Sequence, residues 1–380
     1  MSVDQYIKSD VLIFRPDDVD LTKSPVRSGL DRPTFVLGVF NPGLCRLPNG
    51  NLLMMVRVAE ALTEPVSDGK VHCIRWDERK GYSAEGWPLS EVEMSDPRKF
   101  RIKAYGFPVY ALTSLSWLLP VELTEDGSEV LCVHYDKAIS PQRSSQEYGI
   151  EDARISVIDS RYYMTTCCVS AERHSTMLYM STDGLYYTCL GIVLDHQNKD
   201  MLLFEGKVNN IYFALTRPQG ECYFAASQQS DYHPGAAIHL ASSPDLLHWK
   251  PSNEPFLRAR RASSSNVKIG GGTPPILTPE GWLMLYHGVE NKGDIGCYRT
   301  FWALLDPHDP LKIVRLADET PLLEASAGLT APIGHQLYLE NVVFTTGIVA
   351  HKDHFVIASG ESDLACRITI IDKKFFYGRT

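Results

Sequence analysis

Five strand–turn–strand units punctuate this chain and constrain its fold more than any other feature. They are CRLPNGNLLMMVRV, ISVIDSRYYMTTCCVS, FEGKVNNIYFALTRP, ILTPEGWLMLYHGV and GIVAHKDHFVIASGE. Each joins a β-rich run to a second run rich in aromatic or β-branched residues through a polar turn of two to four residues. The turns centre near residues 50, 160, 210, 281 and 353, and most are separated by roughly 50 to 70 residues, the spacing of repeated sheets of about four strands. The segments STDGLYY and SSPDLLHWK share an outline of serine, acid and aromatic, as turns between outer strands do.

Few long amphipathic helices compete with these units. Sheet modules arranged radially make a five-bladed β-propeller, whose repetition leaves only short edges exposed. The rival is a pair of β-sandwiches, and the even spread of hairpins without a linker favours the propeller. The expectation is a single all-β domain over residues 1–380. Residues 85–147 read as an insertion, and residues 1–30 and 364–380 as tails or closing strands. The insertion carries AYGFPVYALTSLSWLLPVEL, apolar enough to wall a substrate site or to join copies of the chain in a homo-oligomer.

Composition removes several function classes. A hydrophobic fraction of 44% with 22% charged residues is that of a globular protein. No run approaches the ~18 apolar residues of a membrane helix. The N-terminus MSVDQYIKSD has neither the basic nor the apolar region of a secretory signal. A net charge of −9 disfavours nucleic acid, whose backbone it repels. Nine cysteines, an odd number without C-x-x-C pairs, show neither a zinc pattern nor a disulfide framework, so a reducing cytoplasmic setting is expected.

Polar residues at strand ends carry the chemistry, because a mouth where inner strands converge would gather them. They are Asn41, Arg57, Asp152, Lys199, Arg217, Lys268, His287, Tyr298 and Asp363. Arg57 and His287 stand within apolar strands, and a buried charge needs a partner. The glycines of KIGGGTPP would let backbone N–H groups approach an anion, but the run lacks P-loop spacing. There is no G-x-S-x-G elbow, and His72 and His174 have no evident nucleophile. No H-E-x-x-H pattern accompanies Asp195-His196 or Asp353-His354, so no metal is expected.

The motifs VFNPG, RVAE, YGIEDARI, NKDMLLF, TRP, KIGGGTPPILTPEGWLMLYHGV, YRTFWALLD and NVVFTTG occur in one order. In that order the sequence resembles glycoside hydrolase family 130, the mannoside phosphorylases and related β-mannosidases, from about Asn41 to Asp363. The resemblance implies a five-bladed propeller and makes Asp152 the single catalytic acid, acting through a sugar hydroxyl. It places phosphate at Lys199, Arg217, Lys268 and Tyr298, with His287 close by, and mannose hydroxyls at Asn41, Arg57 and Asp363. Cations and a phenol suit the oxygens of phosphate through charge-assisted hydrogen bonds. Glu151 and Arg154 would fix the loop by pairing, and Asp363 could pair with Arg57.

The departures are Phe204-Glu205-Gly206-Lys207 for the family's F-P-E-K, Thr216-Arg217-Pro218 for H-R-P, and Ala153 for the proline of E-D-P-R. Family hydrolases gain glutamates that activate water, which makes Glu205 a candidate base. The implied reaction is inverting phosphorolysis of a β-linked mannoside, with inorganic phosphate as co-substrate and no cofactor. The alternative is an inverting β-mannosidase.

Overall fold

The computed structural model describes residues 3–219, 227–293 and 295–377. It is an all-β protein, with helices of at most a few residues between the strands. Each hairpin expected from the sequence is present and opens a sheet, except that Lys268–Gly271 precedes the fourth. Two of the turns, Asp159-Ser160 and Asn209-Asn210, hold both central residues at positive φ. That conformation matches the twist of a two-residue hairpin and favours Asn and Asp.

The first sheet runs Thr34–Arg46, Leu52–Leu62, Ser114–Leu123, Val130–Val133, and the second Gly149–Ile158, Arg161–Val169, His174–Ser181, Thr188–Ile192. A single parallel bridge between Ser116 and Gly149 joins these two. The third comprises Asn198–Val208, Ile211–Pro218 and Tyr232–Ser243, with Lys250–Pro251 and Leu257–Arg260 both on the last. In the fourth, Lys268–Gly271 and Ile276–Thr278 pair with Gly281–Glu290, followed by Cys297–Leu305 and Ile313–Ala317. The fifth is Val343–His351, His354–Glu361 and Ala365–Asp372, and its outer strand is Ile7–Phe14 from the N-terminal region.

Burial on both faces explains the near-continuous apolar strands. Met54 and Val56 pack with Val356 and Ile368 of the fifth sheet, whereas Leu53 and Met55 pack with Ile155 and Met164 of the second. The same alternation sends Met201 and Leu203 toward Leu178 of the second sheet, and Leu202 and Phe204 toward Met284 and Phe301 of the fourth. Leu283 and Leu285 complete the series against Val343 and Ile357 of the fifth. Every sheet therefore shares a core with two others, which a pair of sandwiches would not do.

The segment 85–147 is not one unit. Two small three-stranded sheets lie between Leu62 and Ser114: Val66–Ser67, Lys70–Asp77, Gly81–Pro88, and then Val92–Asp96, Lys99–Ile102, Val109–Leu112. The apolar half of the expected insertion, Ser114–Leu123, pairs along its whole length with Leu52–Leu62 and is almost entirely buried. Of the expected tails, Ile7–Phe14 and Ala365–Asp372 pair with each other, while residues 1–2 and 378–380 lie outside the described residues.

The junction between the first two sheets needs a glycine. Gly149 has φ +111°, and a Cβ there would sit 2.4 Å from the Ser116 carbonyl oxygen. Gly149→Ala is expected to cost at least ~2 kcal/mol, from backbone strain together with that contact. Equilibrium denaturant unfolding measures it, and an unchanged midpoint would contradict this account of the junction.

Candidate active site

One backbone device recurs in the first strands of the first three sheets. Each is interrupted by a register shift, between Phe40 and Gly43, Glu151 and Arg154, and Lys199 and Leu202. At each shift an Asn or Asp adopts left-handed φ: Asn41 (50°), Asp152 (52°) and Asp200 (55°). Asn and Asp tolerate that region best among non-glycine residues, and a bulge re-aims its side chain.

Asp152 is held from two sides. Asn41 donates from Nδ2 and Arg57 from Nη1, both 2.9 Å from Oδ1. Arg57 also donates Nη2 to Glu151 (2.9 Å) and Nε to Ser116 Oγ (2.9 Å), with its guanidinium 4.7 Å from the centre of the Phe40 ring. Those contacts occupy Arg57, so the expected pairing with Asp363 is replaced by an attraction at longer range. Glu151 accepts from Lys199 on its other oxygen at 3.0 Å. Burial alone would raise the Glu151 carboxyl, but Arg57 and Lys199 outweigh it and hold the group low.

Arg154 lies beneath, 2% exposed, and its donors reach three sheets. Nη1 meets the Asp152 carbonyl at 2.8 Å, Nε the Gly272 carbonyl at 2.7 Å, and Nη2 the Asp200 carboxylate at 3.4 Å. Asp200 accepts from Arg217 Nε at 2.5 Å, with His287 Nε2 at 4.0 Å. Burial opposes ionisation of Asp200, but the Arg217 and Arg154 guanidiniums push its carboxyl well below the usual range.

The expected phosphate cations come from two sheets. Lys199 and Arg217 are register partners on adjacent strands of the third, and Lys268 begins the fourth. The KIGGG glycines explain how the two sheets meet. A Cβ at Gly270 would fall 2.7 Å from Arg217 Cδ and Nε, and one at Gly271 would fall 2.2 Å from Leu202. Side chains of the third sheet occupy that space, where the sequence suggested backbone N–H groups facing an anion.

Lys268 Nζ stands 4.8 Å from the centre of the Tyr298 ring and has no carboxylate partner among the described residues. Burial lowers its ammonium pKa, against the pull of Tyr298 and aided by Arg217 and Lys199. Here Arg57, Arg154, Lys199, Arg217 and Lys268 outnumber the carboxylates Glu151, Asp152 and Asp200 paired with them. With Asp363 as a fourth carboxylate within electrostatic reach of Arg57, the site still keeps an excess of positive charge in a chain of net charge −9.

His287 is 1% exposed, its ring stacked 6.2 Å from that of Tyr298 and tilted 4.5 Å from that of Phe344. Burial brings its pKa down to about 3, helped by Arg217 and Lys268 against Asp200, so the imidazole is neutral at ordinary pH. Asp363 is left-handed too (47°), and burial raises its carboxyl.

Glu205 does not join the site. It lies five residues beyond Asp200 on one strand, roughly 15 Å away at the rise of a β-strand. Its Oε1 accepts from the Val157 N–H, and burial raises it to about 7. The strand that brings Lys199 and Asp200 to the site carries Glu205 away from it.

Sequence reasoning missed Asp200 and Arg98. Arg98, in the turn between two insertion strands, is clasped by Asp96 through Nε and Nη2, both at 3.0 Å. It stands within electrostatic reach of Asp363 and Tyr298, so the insertion adds a cation beside the site. A small cavity of about 10 Å³, enough for about one water, separates Asp152 from Asp200 and is walled by Thr165, Thr166, Cys167, Thr176 and Met201.

The family model described as beta-1,4-mannooligosaccharide phosphorylase matches residues 105–375. A beta-1,2-mannobiose phosphorylase of Listeria innocua is 30% identical over 350 residues, covering 90% of each chain. A 1,2-beta-oligomannan phosphorylase of Thermoanaerobacter is 30% identical over 256 residues, 66% of this chain and 77% of that one. Among solved structures, the Listeria innocua beta-1,2-mannobiose phosphorylase in complex with beta-1,2-mannobiose superposes with a TM-score of 0.79 at 27% identity, covering 96% of both chains. A glycosyl hydrolase from Bacteroides ovatus, 18% identical with a TM-score of 0.64 over 98% of this chain and 96% of that one, shares the fold. With its motifs in family order and relatives matched over most of its length, the chain belongs to glycoside hydrolase family 130.

Proposed function

We propose that this protein is an inverting β-mannoside phosphorylase that turns a β-linked mannoside and inorganic phosphate into α-mannose 1-phosphate and a shortened acceptor. The observation that carries this reading is a linked set of cations: Arg57 bonded to the carboxylate at the family's acid position, Arg217 paired with Asp200, and Lys268 beside the Tyr298 ring without a carboxylate partner among the described residues. A phosphate oxygen bonds to the anomeric carbon as the bond from that carbon to the leaving oxygen breaks. Asp152 supplies the proton that the leaving oxygen takes up, passed through a sugar hydroxyl as the family resemblance implies. Asn41, Arg57 and Asp363 are the groups for mannose hydroxyls; Lys199, Arg217, Lys268 and Tyr298 are those for phosphate.

Hydrolysis has less support. A base that activates water should have a pKa near the working pH. Glu151, which shares Arg57 with Asp152, and Asp200, which lines the same small cavity, are both pinned by cations and held low. Glu205, whose pKa would suit, stands at a distance.

The architecture that fits is one five-bladed propeller over the whole chain, closed by the outer strand Ile7–Phe14, with the insertion beside the mouth. The cyclic series of shared cores supports it. The described cysteines are all free thiols, which accords with a cytoplasmic location; Cys222 lies outside the described residues. A β-1,2 linkage is favoured by the names of the relatives matched over the most residues.

The test is incubation with β-1,2- and β-1,4-mannobiose, with and without phosphate. Mannose 1-phosphate should form only with phosphate, and faster from the β-1,2 disaccharide. Release of two mannoses at an undiminished rate in phosphate-free buffer would overturn the reading.

A further inference from the structure

We infer that Asp200 is a positioning residue that registers the phosphate-binding guanidinium of Arg217 against the catalytic acid, and so sets phosphate affinity and turnover from beneath the site. The inference rests on the phosphorylase reading and adds a residue that makes no proposed contact with substrate.

Asp200 occupies in the third sheet the backbone position that Asp152 occupies in the second. Both are left-handed residues at a register shift in the first strand, and both side chains line the same small cavity. Yet their carboxylates meet different partners. Asp200 is buried and lies between two guanidiniums, taking Arg217 Nε on one oxygen and Arg154 Nη2 on the other.

The Arg217 bond uses the inner edge of the guanidinium. It leaves the two terminal nitrogens directed away from Asp200, in the fork that binds an oxyanion through paired donors. Gly270 leaves room for the Arg217 stem to lie flat against the fourth sheet. The second bond reaches the acid, because Arg154 donates to the backbone carbonyl of Asp152 at 2.8 Å. One carboxylate therefore ties the nucleophile's cation to the backbone of the proton donor, across two sheets.

Asp200→Asn tests this. The amide keeps an acceptor for one guanidinium and turns an N–H₂ toward the other, so one arginine loses its partner. The KM for phosphate should rise about 10- to 100-fold, the loss of one hydrogen bond to a charged group, and kcat should fall as the hold on Asp152 loosens. The double variant Asp200→Asn/Arg217→Ala should have the phosphate KM of Arg217→Ala alone, because Asp200 acts on phosphate through Arg217. A purely structural role would shift stability and leave the two KM effects to multiply.

If Asp200→Asn does not fold, Arg217→Lys serves instead. Lysine keeps the charge, but its one nitrogen cannot both meet Asp200 and present a fork, so the phosphate KM should rise as in Arg217→Ala. A phosphate KM within threefold of the parent in the folded Asp200→Asn or in Arg217→Lys, or multiplicative KM effects in the double variant, would overturn the inference. A parent enzyme that needs no phosphate would overturn the phosphorylase reading itself, and this inference with it.

Discussion

Asp152→Asn is expected to lower kcat by at least ~10², the lower end of what general acid catalysis contributes, while the protein unfolds at nearly its parental temperature. The amide is almost isosteric. Its oxygen can accept from Asn41 Nδ2 and Arg57 Nη1 as Oδ1 does now, so Arg57 keeps its bonds to Glu151 and Ser116. The left-handed backbone at residue 152 also suits asparagine. The ability to give up a proton disappears, together with the charge that partners Arg57. Phosphorolysis of β-1,2-mannobiose, followed as mannose 1-phosphate, together with a thermal scan, separates chemistry from folding. Activity within threefold of the parent would remove Asp152 as the acid. A collapse in stability would mean that its charge, which partners Arg57, is chiefly structural.

What could be read in the sequence follows the range of the interactions. The hairpin turns were legible because Asp159-Ser160 and Asn209-Asn210 are local solutions to a local twist. Strands such as LLMMVRVAEAL were legible because only Arg57 and Glu60 interrupt an otherwise apolar run. Pairing between distant strands was not. Ser114–Leu123 read as part of an insertion because its partner, Leu52–Leu62, lies more than fifty residues upstream and two small sheets intervene.

The same blindness hid that Lys199 and Arg217 face each other on adjacent strands. Glu205 was judged by its slot in a motif, and the motif does not say how far along the strand the site extends. A usable signal for Asp200 was present. F-N-P-G, E-D-A-R and K-D-M-L each set one Asn or Asp within a first strand, and the repetition marks a shared backbone position. Arg98 gave no comparable signal, since a turn arginine beside an aspartate reads as a solvated pair.

Substitutions at the anion site and at Glu205 should divide the two reactions open to this family. With phosphate as nucleophile, Arg217→Ala and Lys268→Ala should each raise the KM for phosphate about tenfold to a hundredfold, from loss of a contact worth ~1.5–3 kcal/mol. Lys268 is the cleaner variant, because it has no carboxylate partner among the described residues to be left uncompensated, whereas Arg217→Ala also strips Asp200 of its shortest bond. Glu205→Gln should leave kcat and both KM values within about twofold, since among the described residues its carboxylate is bonded by the Val157 N–H, far along the strand from Asp200. It should instead change stability. The folded pKa of Glu205, about 7, lies above the usual 4.5, so its contribution is fully present below pH 4.5 and is lost as pH rises through 7. A glutamine cannot ionise, so Glu205→Gln should unfold at a higher temperature than the parent at pH 8 and show no such gain at pH 4. With water as nucleophile the pattern reverses: Glu205→Gln becomes severe, and added phosphate does nothing or inhibits. The distance that the strand puts between Glu205 and Asp200 argues for the first pattern, and a loss of activity in Glu205→Gln at unchanged stability would argue decisively for the second.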